Sequence, residues 1–209
     1  MDKLRCKQIW QAVGLPTAKY RLLTSLDDLT GLIEELGLPL FLKPAREGSS
    51  VGIGKVSHDD DLLPVYQNAK QFDEQVLAEQ FVPGAEVTVG ILDGKALPAV
   101  TMRTEREFYD YQAKYQSDDT QYDCPAGLGD ALESEVRALA LSAANAVDVS
   151  GWARVDMILD AQRRPMLLEV NTVPGMTNHS LVPIAAAADG MNFAMLVTEI
   201  LKTSLSEAA

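Results

Sequence analysis

Two cysteines and two histidines are all that the 209 residues contain of the usual soft metal ligands. Cys6 and Cys124 lack metal-ligand spacing, which leaves free thiols in a reducing compartment as the default reading. His58 lies beside Asp59-Asp60-Asp61 and reads as a solvated turn residue. His179 reads as a residue that orders a loop. No uninterrupted apolar run reaches the ~18 residues of a membrane span. The start, Met1-Asp2-Lys3-Leu4-Arg5-Cys6-Lys7, lacks the apolar stretch of a signal peptide. Basic residues are scarce. Eighteen Lys and Arg face thirty Asp and Glu, for a net charge of −12. That balance argues against nucleic-acid backbones and anionic membranes as partners. It leaves room for a local cationic pocket. No internal repeat or low-complexity tract is present.

What is present is an ordinary globular composition, 47% hydrophobic and 23% charged. Residues 4–13 read as a helix stopped by Gly14-Leu15-Pro16. Ser25-Leu26-Asp27-Asp28 reads as a capping box opening a helix that ends at Gly37. Residues 39–44, 54–56 and 75–81 read as strands, and 60–71 as a helix weakened by Pro64. Residues 86–92 and 95–102 read as a hairpin across Asp93-Gly94. Residues 103–130 are polar and aromatic without a period, and read as a long functional loop that closes over ligand. Residues 131–147, 181–188 and 192–204 read as helices. The pattern predicts an α+β fold of two lobes, residues 1–84 and 85–209, with a ligand cleft between them. The boundary is expected near Val82-Pro83-Gly84.

The most telling segment is a pair of short apolar runs with charge at alternate positions. They are Trp152-Ala-Arg154-Val-Asp156-Met-Ile-Leu159 and Met166-Leu-Leu-Glu169-Val-Asn171. Asp160–Pro165 reads as the loop between them. If Asp160 pairs with Pro165, Asp156 falls opposite Glu169 and Arg154 opposite Asn171. All four then project from one face. Facing carboxylates repel unless a cation sits between them. Hard oxygen donors of this kind suit Mg²⁺ or Mn²⁺, and the arginine can neutralise a phosphoryl group. The plainer alternative is a hairpin with a charged outer face.

Two further stretches point to a nucleotide. In Phe41-Leu-Lys43-Pro-Ala-Arg46-Glu-Gly48-Ser49-Ser50-Val-Gly52, a strand lysine runs straight into a Gly/Ser loop. Glycines let backbone N–H groups approach phosphate oxygens, and serine hydroxyls add donors. The loop is neither a Walker A loop nor a dinucleotide fingerprint. In Val76-Leu-Ala-Glu79-Gln80-Phe81-Val82-Pro-Gly-Ala-Glu86, a strand ends in one carboxylate and a second follows a Pro-Gly turn. A turning strand end can offer backbone groups to an adenine edge, and a carboxylate can accept from ribose hydroxyls. A solvated loop between strands is the alternative.

These pieces, in this order, resemble the ATP-grasp superfamily. The closer resemblance is to the D-alanine–D-alanine ligase family. It rests on Arg46-Glu-Gly-Ser-Ser-Val-Gly52, Phe108-Tyr-Asp-Tyr-Gln-Ala-Lys114-Tyr115, Glu169-Val-Asn-Thr-Val-Pro-Gly175-Met-Thr, Asn178-His-Ser180-Leu-Val-Pro183 and the opening Met1-Asp2-Lys3. It covers the chain to about residue 203.

The resemblance implies an ATP-dependent ligase joining two D-alanines through an acyl phosphate, for the cell wall. It implies that Lys3, Lys43 and Lys114 contact ATP phosphates, with Lys43 also near adenine. Ser49 and Ser50 would lie in a loop closing over the phosphates. Glu79, with backbone from Gln80 through Phe81 to Val82, would hold adenine, and Glu86 the ribose. Asp156, Glu169 and Asn171 would bind two Mg²⁺ or Mn²⁺ ions. Arg154 and the Gly175 backbone would steady the acyl phosphate and the tetrahedral intermediate. Asn171 and Gly175 would also meet substrate, and Ser180 and Leu181 would receive the second D-alanine's carboxylate. Tyr115 and Ser49 would belong to a hydrogen-bond chain that positions substrate. A cytoplasmic location is implied, and a homodimer is compatible with it. The family has an additional N-terminal domain whose glutamate orients the first D-alanine; the sequence opens where that domain would end. The expectation is that ATP binding survives better than ligation. A nucleotide-binding module without turnover and an ATP-grasp ligase for other amino acids are the competing readings.

Overall fold

The computed structural model describes residues 2–103, 121–177 and 179–206. Two antiparallel sheets organise them. The first has the order β1-β4-β2-β3, with β1 Tyr20–Leu23, β2 Leu40–Pro44, β3 Gly54–Val56 and β4 Val76–Gln80. Side chains alternate across each strand. Leu40 and Leu42 on β2, and Val76 and Ala78 on β4, pack with Leu23 and Val56 under helices α2 (Leu32–Leu36) and α3 (Leu62–Lys70). That leaves Phe41, Lys43, Leu77 and Glu79 on the opposite face. Pro64 does no harm because it sits in the first turn of α3, where the missing N–H has no helical acceptor.

The single helix expected from Ser25 to Gly37 is in fact two pieces. The capping box of Ser25 and Asp28 opens a tight turn over Leu26–Leu29, and α2 starts afresh after Gly31. Gly31 adopts φ +71°, a left-handed conformation that no helix continues through.

The second sheet has the order β10-β9-β5-β7-β8, with β6 also paired to β5. Its strands are β5 Ala85–Leu92, β6 Lys95–Ala96, β7 Val100–Arg103, β8 Gln121–Asp123, β9 Trp152–Leu159 and β10 Pro165–Asn171. Asp93 and Gly94 both have positive φ, as a two-residue hairpin turn requires. The expected partner strand 95–102 is broken at Leu97-Pro98-Ala99. Strand β8 lies within the segment read as loop.

Helices α1 (Lys3–Ala12) and α4 (Asp130–Ala146) cover one face of this sheet around Trp10, Val89, Val136, Ala143, Val155, Met157 and Leu167. The Trp10 indole is fully buried, and its Nε1 donates to the Ala143 carbonyl at 3.0 Å. Trp10→Ala would cost about 3–5 kcal/mol. Helices α5 (Leu181–Ala188) and α6 (Phe193–Ser206) cover part of the other face around Val100, Leu181, Val182 and Leu196. Among the described residues no single helix is long and apolar enough to cross a membrane.

Helix α1 also reaches the first sheet, where Leu4 packs with Ala45 and Leu77. It therefore touches both sheets. The chain crosses between them at 81–84. A Cβ on Gly84 would stand 1.8 Å from the Leu159 carbonyl oxygen, so only glycine fits that crossing.

Candidate functional site

The β9–β10 hairpin aligns Glu169 with Asp156 and Asn171 with Arg154. The loop end differs from expectation. There Pro165 pairs with Leu159, and Leu167 with Met157, one residue out of the register inferred from an Asp160–Pro165 pair. A bulge between Leu167 and Glu169 absorbs the difference. Leu167 consequently stays in the core while Glu169 and Asn171 turn to the face of Arg154 and Asp156.

Asp156 is the hub of this face. The Arg154 fork donates to it through Nε at 2.8 Å and Nη2 at 2.7 Å. Asn171 Nδ2 donates to Asp156 at 2.8 Å and to Glu169 at 3.3 Å. The buried Thr88 hydroxyl, aligned with Asp156 on β5, donates to the same carboxylate. Nothing in the sequence alone pointed to Thr88.

The face of the first sheet opposite α2 and α3 carries the second cluster. Lys43 Nζ donates to Glu79 Oε2 at 2.9 Å. Lys7, from helix α1, puts its Nζ 3.3 Å from Glu79 Oε1. Both Glu79 and Lys7 are buried. Burial opposes ionisation of Glu79, but Lys43 and Lys7 together hold its carboxyl below the ordinary range. Desolvation pulls Lys7 down in turn, against the attraction of Glu79. Phe41 and Phe81 lie with ring centroids 5.8 Å apart, and Lys55 stands over Phe81. Glu79, the residue expected at adenine, has its carboxylate between these two lysines.

Lys3 joins the two clusters. Its buried Nζ donates to the carbonyls of Pro44, at 3.4 Å, and Glu47, and lies 3.8 Å from Glu169 Oε2. The end of β2 is thereby held against the carboxylate of β10. Beyond it, Asp73 roots the Gly/Ser loop. It accepts from the Arg46 amide at 3.1 Å, from the Arg46 side chain at 3.0 and 2.6 Å, and from the Gln75 amide at 3.1 Å. The Arg46 guanidinium foremost holds the Asp73 carboxyl down at about 2. Ser49 and Ser50 both take positive φ, 51° and 60°, at the centre of a tight turn that the Val51 amide closes by donating to the Gly48 carbonyl at 3.0 Å.

The remaining expected residues are placed as follows. Gln80 ends β4, with its amide donating to the Lys19 carbonyl. Phe81 and Val82 form the crossing segment, and Glu86 lies early in β5 opposite Ile158 and Met102. Ser180 caps α5 in sequence position and takes part in a local network, accepting from the Thr177 amide at 2.9 Å. The Leu181 side chain is in the core. A Cβ on Gly175 would meet Ser180 Oγ at 2.9 Å. Lys114, Tyr115 and Asn178, with the rest of 104–120, lie outside the described residues. Burial raises the pKa of both thiols, Cys124 to about 11, which disfavours a thiolate nucleophile. Cavities of about 510 and 720 Å³ lie elsewhere, behind Cys6 and beside the Asp93-Gly94 turn.

Among the described residues no three His, Cys, Asp or Glu side chains converge. Asp156, Glu169 and Asn171 nevertheless offer oxygen donors on one face. A hard cation held there would complete its shell with water and phosphate oxygens, the habit of Mg²⁺.

A family model described as D-ala D-ala ligase C-terminus matches residues 9–202. The chain belongs to this family. It is 50% identical over 205 residues to a D-alanine–D-alanine ligase of Ectopseudomonas mendocina, covering 98% of this chain and 66% of that one. It is 49% identical to the Idiomarina loihiensis ligase, covering 98% and 68%. The chain thus spans about two thirds of the length of these relatives. Among solved structures, the Bacillus anthracis D-alanine–D-alanine ligase complexed with ATP superposes with a TM-score of 0.83 at 35% identity, covering 98% of this chain and 66% of that one. The VanG D-Ala:D-Ser ligase of Enterococcus faecalis gives 0.84 at 28%, covering 97% and 61%. The fold is ATP-grasp, as members of this family have.

Proposed function

We propose that the chain carries the nucleotide and metal machinery of an ATP-dependent ligase that joins two D-alanines. The observation that carries this is Lys3, which ties the Lys43 strand and the Gly/Ser loop to Glu169 of the carboxylate hairpin. Nucleotide phosphates and a divalent cation would meet at that junction. On this reading residues 1–84 and 85–209 are the two lobes, and ATP lies between them in a cytoplasmic enzyme. Lys3 and Lys43 neutralise phosphate charge, with Lys114 assigned the same task. The amides around Ser49 and Ser50 cradle phosphate oxygens. Backbone from Gln80 to Val82 meets adenine beside Phe41 and Phe81, and Glu86 meets ribose. Asp156, Glu169 and Asn171 hold two Mg²⁺ or Mn²⁺ ions. When bound, these ions supply charge neutralisation of the phosphates.

A D-alanine carboxylate oxygen attacks the γ-phosphorus, and ADP leaves. The second D-alanine's amine then attacks the acyl carbon, loses a proton, and expels phosphate. Oxygen gains negative charge in that step. On this reading the Arg154 guanidinium and the Gly175 amide stabilise it. Phosphoryl transfer needs positioning and charge more than covalent help, which suits a site without a nucleophile. The α5 N-terminus at Ser180 and Leu181 receives the second substrate's carboxylate.

The test is to incubate the chain with ATP, Mg²⁺ and D-alanine and measure ADP, phosphate and D-alanyl-D-alanine together. D-Serine as the only other amine checks the amino-acid pair. Phosphate release that depends on D-alanine is expected. Release indifferent to D-alanine would overturn the proposal.

A further inference from the structure

Lys7 has no place in the reaction just described, yet it is fully buried beside it. Its side chain is closed to solvent. It lies 3.3 Å from Glu79 Oε1 and donates to Thr17 Oγ1 at 2.5 Å. Thr17 in turn donates to the Leu167 carbonyl at 2.8 Å, two residues before Glu169 on β10. On its other oxygen Glu79 accepts from Lys43. Two ammonium groups therefore share one carboxylate. Lys43 is the only member of the trio at the cleft, with a side chain 14% exposed against 0% for Lys7 and 4% for Glu79.

A lone Lys43–Glu79 pair would be neutral. A phosphate approaching it would meet an ammonium already cancelled by a carboxylate. Adding Lys7 leaves the trio with one surplus positive charge. Lys7 and Glu79 are locked in the interior, so the surplus is felt where Lys43 opens to the cleft. Burying a cation is costly unless it is paired. Here the pairing with Glu79 and Thr17 holds Lys7 in place. We infer that Lys7 is a positioning residue that neutralises Glu79 from behind and so frees the charge of Lys43 for a nucleotide phosphate. This inference rests on the nucleotide reading of the cleft.

The distinguishing measurement is phosphate selectivity, the ratio of affinities for a non-hydrolysable ATP analogue and for adenosine. General loosening of the pocket weakens both ligands and leaves the ratio unchanged. Lys7→Met keeps the bulk of the side chain and deletes the charge. It should lower the ratio by about tenfold, the order that one charge carries across a partly buried distance. Lys7→Met combined with Glu79→Gln removes both inner charges and restores the surplus on Lys43. The ratio should return to within about threefold of the parent. Glu79→Gln alone should raise it, and this variant decides the matter if Lys7→Met does not fold. Thermal melts verify folding of each. An unchanged ratio in Lys7→Met would overturn the inference. So would a double variant that stays as low as Lys7→Met, or a Glu79→Gln ratio at or below the parent's. A parent chain that binds neither ligand would instead sink the nucleotide reading itself.

Discussion

Asp156 and Glu169 face each other across the β9–β10 hairpin because Leu168 is an extra residue in β10. Strict alternation from Leu167, which is buried in the core, would send Glu169 and Asn171 into the same core. The bulge reverses the parity over one residue. It is the local device that turns a core strand into a site strand.

That arrangement predicts a divalent-cation site whose affinity depends on both carboxylates. Asp156→Asn and Glu169→Gln should each weaken Mn²⁺ binding in the presence of a non-hydrolysable ATP analogue by about tenfold or more. Thr88→Val removes the hydroxyl that orients Asp156 and should give a smaller loss of the same sign. Electron paramagnetic resonance titration of free Mn²⁺ reads all three. Equal affinity in the two carboxylate variants and the parent would remove the metal assignment.

Lys43→Ala and Glu86→Ala should both weaken nucleotide binding, for different reasons. Lys43 carries the cleft-facing charge of its trio, so its loss should cost about tenfold for ATP and little for adenosine. Glu86 is assigned to the ribose, so its loss should weaken ATP and adenosine alike. Calorimetric titration separates the two patterns. Identical losses for both ligands in both variants would contradict the division of labour between strands β2 and β5.

The hairpin, the Gly/Ser loop and the Pro-Gly crossing were legible because each has a local signal. Alternating charge in an apolar run, clustered glycines and turn dipeptides do not depend on distant contacts. The bulge was not legible, since nothing in Met166-Leu-Leu-Glu169 marks which residue is extra. Lys7 was missed for a related reason. Helix α1 buries Lys3, Cys6, Lys7 and Trp10 while leaving Ile9, and Val13 just past its end, exposed. Hydrophobic periodicity would place the lysines outside. The i, i+4 spacing of Lys3 and Lys7 on the Trp10 face was the available clue. It becomes meaningful only once Glu169 and Glu79 are seen opposite them.

Asp73 should make the root of the Gly/Ser loop acid-sensitive. Its folded pKa of about 2 lies below the ordinary 3.8, so its contribution is fully present above 3.8 and is lost as pH falls through about 2. Asp73→Ala leaves the Arg46 and Gln75 amides without their acceptor and should cost about 1 kcal/mol at neutral pH. Urea denaturation of parent and variant at a series of pH values should show a constant gap above pH 4 that closes towards pH 2. A gap that persists unchanged to pH 2 would show that the loss comes from packing, with ionisation of Asp73 playing no part.

Gly84 tests how the two sheets are joined. Its φ is not left-handed, so conformational freedom is not the reason for glycine there. The reason is space. An added Cβ would stand 1.8 Å from the Leu159 carbonyl oxygen and 2.9 Å from the Ile158 side chain. A backbone carbonyl cannot rotate away as a side-chain tip can, and Leu159 is held in β9 by its pairing with Ala85 and Pro165. Gly84→Ala must therefore move the crossing segment or the hairpin end. Overpacking against fixed atoms costs about 1–3 kcal/mol. Gly94→Ala is the control, since an added Cβ there meets nothing within 4 Å and only its φ of +69° is strained. Denaturation should show a larger loss for Gly84→Ala than for Gly94→Ala. Because the crossing contains Phe81 and Val82, whose backbone is assigned to adenine, Gly84→Ala should weaken nucleotide binding while Gly94→Ala leaves it unchanged. Equal stability losses with unaltered binding in both would show that the close approach at Leu159 does not position the crossing.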